Sequence, residues 1–191
     1  MPNRILVLYA HPAQDRSRAN RALREAIEDL DGVTLHDLYE TYPDLFVDAG
    51  REQALAAAHE VLVFQHPLYW YSAPALLKEW QDSVLLPGWA YGEGGDKLHG
   101  KRFMQALTTG GHAESYRHGG HARFTIPELL RPFEQMAYYC GMTCLPPFVV
   151  HAARLAAEAD IAASAARYRR LLERIVAGEP PAPFESSLPA E

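Results

Sequence analysis

Two runs of apolar residues without a polar break stand out along the chain, ILVLYA within Arg4–Ala10 and VLVF at Val61–Phe64. A strand with one wet face alternates apolar and polar positions, and a strand covered on both faces does not. Both runs therefore read as central strands of a parallel sheet. Three more strands are predicted at Val33–Leu38, Phe103–Leu107 and Thr143–His151. The last carries Pro146 and Pro147, which cannot donate to a ladder, so it belongs at a sheet edge. Helical spacing appears between the strands: Arg18–Leu30, with Ala19, Ala22, Leu23, Ala26, Ile27 and Leu30 on one face; Arg51–His59; Pro74 to about Leu85; Ile126–Tyr139; and Ala156–Val176, with a stripe of Ile161, Ala165, Tyr168, Leu172 and Ile175. Pro132 is expected to kink the fourth of these helices or to delay its start, and Cys140-Gly141-Met142 closes it. Strands alternating with helices predict an α/β doubly wound sheet of five strands with helices on both faces.

The stretches with no periodicity change the picture most. His66-Pro67 is expected to end the Val61 strand, because proline has no N–H for the ladder. Pro74 suits a first helical turn, where that N–H is not needed. Tyr69, Trp70 and Tyr71 lie between these two prolines. Residues 39–49 are irregular, 86–102 are rich in glycine, and 112–124 form another loop. Residues 1–178 read as one domain. Residues 179–191 hold too little apolar content to fold alone and read as a loose tail.

Composition narrows the class. The chain has 191 residues, enough for one domain with a proper core, and is 48% hydrophobic. With 18 basic against 24 acidic residues the net charge is -6, which argues against nucleic acid as a main partner. Two cysteines, Cys140 and Cys144, make no disulfide framework, and a reducing compartment is the simpler reading. The N-terminal apolar run is too short for a signal peptide, and no stretch approaches a membrane span. A cytoplasmic protein is expected.

Three strand-following loops can carry chemistry, and in a doubly wound sheet all three open on one edge. The first, His11–Asn20 (HPAQDRSRAN), leads into a helix start that suits an anion, with Ser17 and Asn20 as added donors. Its structural alternative is a simple N-cap at Ser17. Neither GxGxxG nor GxxxxGK[ST] is present. The second, Pro67–Trp70, offers backbone and rings to a flat heterocycle, or else contributes aromatics to a core or interface. The third, Thr108–Gly111, lets backbone N–H groups approach developing negative charge, or else is only a turn. Tyr116, His118 and His121 follow it, a phenol and imidazoles able to donate protons. His99, His112, His118 and His121 stand near no HExxH or CxxC, and no metal site is expected.

Taken in order, HPLYWYSAPALLKEWQDSVL, GWAYG, KLHGK, TTGG, YCG and LPPFVVH resemble the flavodoxin-like NAD(P)H:quinone oxidoreductases. The likeness is strongest to a short bacterial branch that includes the ancillary flavoproteins of glutathione-gated potassium efflux systems. It runs from about Ile5 to Ile175. The resemblance implies a 2-1-3-4-5 sheet, FMN or FAD, NAD(P)H as electron donor, a quinone acceptor, and a homodimer with its active site at the interface. FMN is favoured over FAD, because the chain lacks the C-terminal extension of the larger animal enzymes. Carried over by motif, His11, Ser17, Arg18, Ala19 and Asn20 match the flavin phosphate loop. Pro67, Leu68, Tyr69 and Trp70 match the loop beside the isoalloxazine, and Thr108, Thr109, Gly110 and Gly111 the loop facing its pyrimidine side. Tyr116 and His121 resemble the pair that stabilises reduced flavin; the histidine fits only with a small gap, and His118 is the alternative. The resemblance also implies the reaction: hydride is expected to pass from NAD(P)H to flavin and then, as two electrons together, to a quinone in the same place. The competing readings are a regulatory flavoprotein bound to a potassium-efflux transporter at the inner face of the membrane, an azo or nitro reductase, and an electron-transfer flavodoxin.

Overall fold

In the computed structural model, which describes residues 2–182, strands β1 (Ile5–Tyr9), β2 (Val33–Asp37), β3 (Val61–Pro67), β4 (Arg102–Thr108), β5 (Thr143–Cys144) and β6 (Phe148–Val150) form one parallel sheet. Its order is β2-β1-β3-β4-β5, with β6 also on β4. This is the flavodoxin-like arrangement that the motif order implies. The helices are α1 (Ala19–Glu25), α2 (Leu38–Thr41), α3 (Ala49–Ala57), α4 (Ala75–Val84), α5 (Ile126–Tyr139) and α6 (Glu158–Val176).

Successive residues of a strand point to opposite faces, and the two apolar runs feed two cores. Ile5, Val7, Val61 and Val63 pack with Leu23 of α1 and Tyr168 and Leu172 of α6. Leu6, Leu8, Leu62 and Phe64 pack with Leu77 and Trp80 of α4 and Phe133 of α5. Every residue of β1 and β3 is buried.

Several expected boundaries move for identifiable reasons. β3 runs on through Pro67, opposite Thr108. The Leu68 amide bonds Thr108 on the β4 side, so the missing Pro67 N–H faces the β1 side, where β1 has already ended at Tyr9. α1 is half its expected length. After Glu25 the bonds tighten to Ile27 N–H to Arg24 O and Leu30 N–H to Ile27 O, turning the chain toward β2. Within the stretch read as irregular, Asp37 caps α2 by accepting from the amides of Tyr39 and Glu40. Pro74 is the N-cap of α4 and not a residue of its first turn. α5 does not start late at Pro132: a Thr125–Glu128 capping box fixes its start at Ile126, and burial of Ile126, Leu130, Phe133 and Ala137 holds the helix through the proline. Gly141 closes it at φ +70°, where a side chain would also collide with the His99 ring. Pro146-Pro147 split the last strand into β5 and β6, at the edge as expected. The expected tail lies, beyond residue 182, outside the described residues.

Candidate cofactor site

The carboxyl ends of β1, β3 and β4 open into one cleft of about 820 Å³, within the size range of cofactor pockets. From the first loop His11, Ser17, Arg18, Ala19 and Asn20 line it; from the second, Pro67, Leu68 and Tyr69; from the third, Thr108, Thr109 and Gly110. Three strand ends brought side by side account for this meeting.

A buried polar chain fastens these loops from beneath. Asn20 donates through Nδ2 to Thr108 Oγ1 at 3.1 Å, and Gln65 Nε2 donates to the backbone and side-chain oxygens of Asn20 at 3.0 and 3.2 Å. Ser17 is buried, and its Oγ accepts from the Arg21 amide at 3.2 Å. This bond ties the serine to the first turn of α1, whose N-cap is Arg18 and carries no side-chain cap, and the same hydroxyl is hydrogen-bonded to the buried Tyr9 phenol. His11 Nδ1 accepts from the Ala13 amide at 3.2 Å, so the ring proton sits on Nε2. Burial pushes the His11 pKa down, against weaker opposing pulls from Ala13, Asp15 and Asp37, and the ring stays neutral. Among the described lining residues are three arginines, Arg16, Arg18 and Arg154, and no carboxylate. That is the donor set for an anion in a protein whose net charge is -6.

Not every anticipated residue reaches the cleft lining. Trp70 is 94% exposed. With Tyr71 it forms a two-residue turn in which both φ values are positive, 49° and 61°, closed by mutual bonds between the backbones of Tyr69 and Ser72. Gly111 lies one residue beyond the lining, under the Tyr116 ring: a Cβ there would stand 3.3 Å from the Tyr116 hydroxyl. His121 is on the surface. His118 is also exposed and faces Glu128 at 3.3 Å, at the start of α5.

The histidine beside the third loop is instead His151, which reading the chain in order did not single out. It approaches Thr109 Oγ1 at 3.1 Å and lies against Tyr116 with ring centroids 5.6 Å apart. Arg16, Ala153 and Arg154 were also missed. For His151, Ala153 and Arg154 the only available signal was position, just after a strand at the same sheet edge, and Arg16 lies within the first loop. Among the described residues no three His, Cys, Asp or Glu side chains are grouped as metal ligands.

The sheet order, and a cleft at the carboxyl ends of its central strands, define a flavodoxin-like protein. The family described as Flavodoxin-like fold matches residues 3–172, and the chain belongs to it, within the NAD(P)H:quinone oxidoreductase group. The ancillary protein KefG of the glutathione-regulated potassium-efflux system of Yersinia pestis is 46% identical over 90% of this chain and 94% of its own. General stress protein 14 of Treponema denticola, solved in complex with FMN, is 38% identical with a TM-score of 0.86, covering 90% of this chain and 99% of that one. An NADPH-quinone reductase from P. pentosaceus is 33% identical with a TM-score of 0.80, covering 87% and 96%. Among the described residues of this chain no helix is long and apolar enough to cross a membrane.

Proposed function

We propose that the protein is an FMN-dependent NAD(P)H:quinone oxidoreductase that works as a homodimer. The observation that carries this reading is the single cleft where three loops meet, basic and free of carboxylates at its lining. The residues present fit FMN. Ser17 and His11 Nε2 offer side-chain donors, the loop of Arg18, Ala19 and Asn20 offers backbone donors, and Pro67, Leu68 and Tyr69 offer a flat apolar wall. Gly110 leaves open space where a side chain would stand. Bound FMN supplies the ability to take two electrons from a nicotinamide and pass them to an acceptor.

The chain's own part is to bind, orient and stabilise charge. The amides of Leu68 and Tyr69 are already bonded to Thr108 and Ser72, so that wall acts through shape. The third loop is assigned to charge: the Thr109 amide is already bonded to Val150, and the Gly110 N–H would be the donor for negative charge on bound flavin, one such donor being worth roughly 3 kcal/mol of barrier. Tyr116, packed over Gly111, is assigned the same task. Exposed Trp70 and Tyr71 are assigned to the dimer contact. A rigid turn that holds a tryptophan in water has its use in a partner subunit.

The test is the visible spectrum of the purified protein, with the released chromophore identified, followed by NADH and NADPH oxidation with quinones. Released FMN and quinone-dependent turnover are expected. A protein that stays colourless with added FMN would sink the proposal. The kinship with KefG favours one second reading, a regulatory subunit of a potassium-efflux transporter. Co-purification with such a transporter's soluble domain, together with negligible quinone turnover, would favour it.

A further inference from the structure

The three arginines of the cleft are not equivalent. Arg18, which the motif assigns to the phosphate loop, has turned its guanidinium to the first residue of α6 and the segment before it. Its Nε and Nη2 donate to Glu158 Oε1, its Nη1 to the Arg154 carbonyl at 3.1 Å, and its Nη2 to the Ala156 carbonyl at 3.1 Å. Four hydrogen bonds occupy a group with five N–H donors, and Glu158 matches its charge. No carboxylate pairs with Arg16 or Arg154 among the described residues, and both line the cleft.

The segment that Arg18 holds is tied to the third loop as well. The Ala152 amide donates to the Gly111 carbonyl and the Ala153 amide to the Thr109 carbonyl, both at 2.9 Å. Ala152 reaches this position at φ +51°, strained for a residue with a side chain. Arg18 thus joins the first loop to a segment that in turn fixes Thr109–Gly111. To reach a ligand it would strip two backbone carbonyls of their donor and leave Glu158 alone.

We propose a division of labour that rests on the FMN reading above: Arg18 is a positioning residue strapping two walls of the cleft together, while Arg16 and Arg154 supply the charge that recognises the cofactor's phosphate monoester. The distinction has a chemical signature. A phosphate ligand matters to FMN and is indifferent to riboflavin, which has the same ring and no phosphate. A strap between walls matters to both.

The test is fluorescence titration of full-length protein freed of flavin, with FMN and with riboflavin. The Arg16→Gln/Arg154→Gln double variant should weaken FMN at least about 10-fold, the size of one lost charge-assisted bond, and leave riboflavin within about twofold. Arg18→Gln should weaken both flavins by a common factor. Glu158→Ala should do so in the same direction, and its side chain, on the far side of the strap, guards against an Arg18 variant that fails to fold. An Arg18→Gln loss confined to FMN would make Arg18 the phosphate ligand and overturn the proposal, as would unchanged FMN affinity in the double variant. A parent protein that takes up neither flavin would bring down the FMN reading itself, an outcome visible before any variant is compared.

Discussion

His151 donates its Nδ1 proton to Thr109. The threonine hydroxyl gives its own proton to the Gly111 carbonyl at 2.8 Å, so at 3.1 Å from the imidazole it can only accept. The imidazole in turn carries the Tyr116 ring. One half-buried histidine therefore holds both the inner geometry of the Thr108–Gly111 loop and the aromatic lid over it. Burial pushes its pKa down, partly countered by Glu114, so the ring is neutral near pH 7.

His151→Ala is expected to slow flavin reduction by about 5- to 10-fold, the worth of one neutral hydrogen bond plus a ring contact. Stopped-flow reduction by NADPH checks it. His151→Asn, which restores a donor toward Thr109 without the ring, should recover part of the rate. Equal rates for all three proteins would remove the role.

Tyr116→Phe is expected to lower the same rate by up to about 100-fold if its hydroxyl donates to developing negative charge. His121 lies on the surface, and His121→Ala should stay within about twofold of the parent, as surface substitutions generally do. The double variant should match Tyr116→Phe alone; an added loss in the double variant would return His121 to the site.

Glu52 is a fully buried carboxylate, bonded by His36 at 2.8 Å and by Tyr42 and Trp80 at 2.7 Å each. Burial pushes its pKa up, and these three donors outweigh it, holding the carboxyl below its usual range. Its stabilising contribution is thus complete above the unfolded value, near 4.3, and is lost as pH falls through the lower folded value. Glu52→Gln should cost about 3 kcal/mol in urea unfolding at pH 7, because one amide cannot serve three donors. It should also flatten the acid limb of the stability profile. Flavin affinity of the folded protein should be unchanged, since Glu52 lies among α3, β2 and α4, away from the cleft. A Glu52→Gln protein as stable as the parent would contradict this.

Trp70 and Tyr71 occupy a turn geometry that ordinarily selects Asn-Gly. Replacing the pair with Asn-Gly should raise the stability of one subunit by about 1 kcal/mol through relief of positive φ. Self-association, followed by sedimentation, should weaken at least about 10-fold if Trp70 supplies a central aromatic contact. Unaltered self-association would place the dimer contact elsewhere.

Much of this architecture was legible from local pattern. Unbroken apolar runs marked β1 and β3, and the α6 stripe from Ile161 to Ile175 is buried as spaced. The limits lay where a local rule met a tertiary circumstance. Pro67 sits in a strand because its missing donor faces the side where β1 has ended. Pro132 sits in a helix because a capping box and a buried face outweigh one lost bond.

The amino-acid order alone determined which segments become strands and helices, and that three unusual loops follow three strands. Backbone period and burial pattern are properties of neighbours along the chain. Only the tertiary structure decided which side chains act together. Arg18 meets Glu158 across 140 residues and Thr109 meets His151 across 42. Asn20 meets Thr108 across 88. Such pairings depend on where the sheet edge brings separate loops and on which way a long side chain finds its acceptors. A motif can therefore name the loop that Arg18 belongs to, while packing determines the direction in which its guanidinium points.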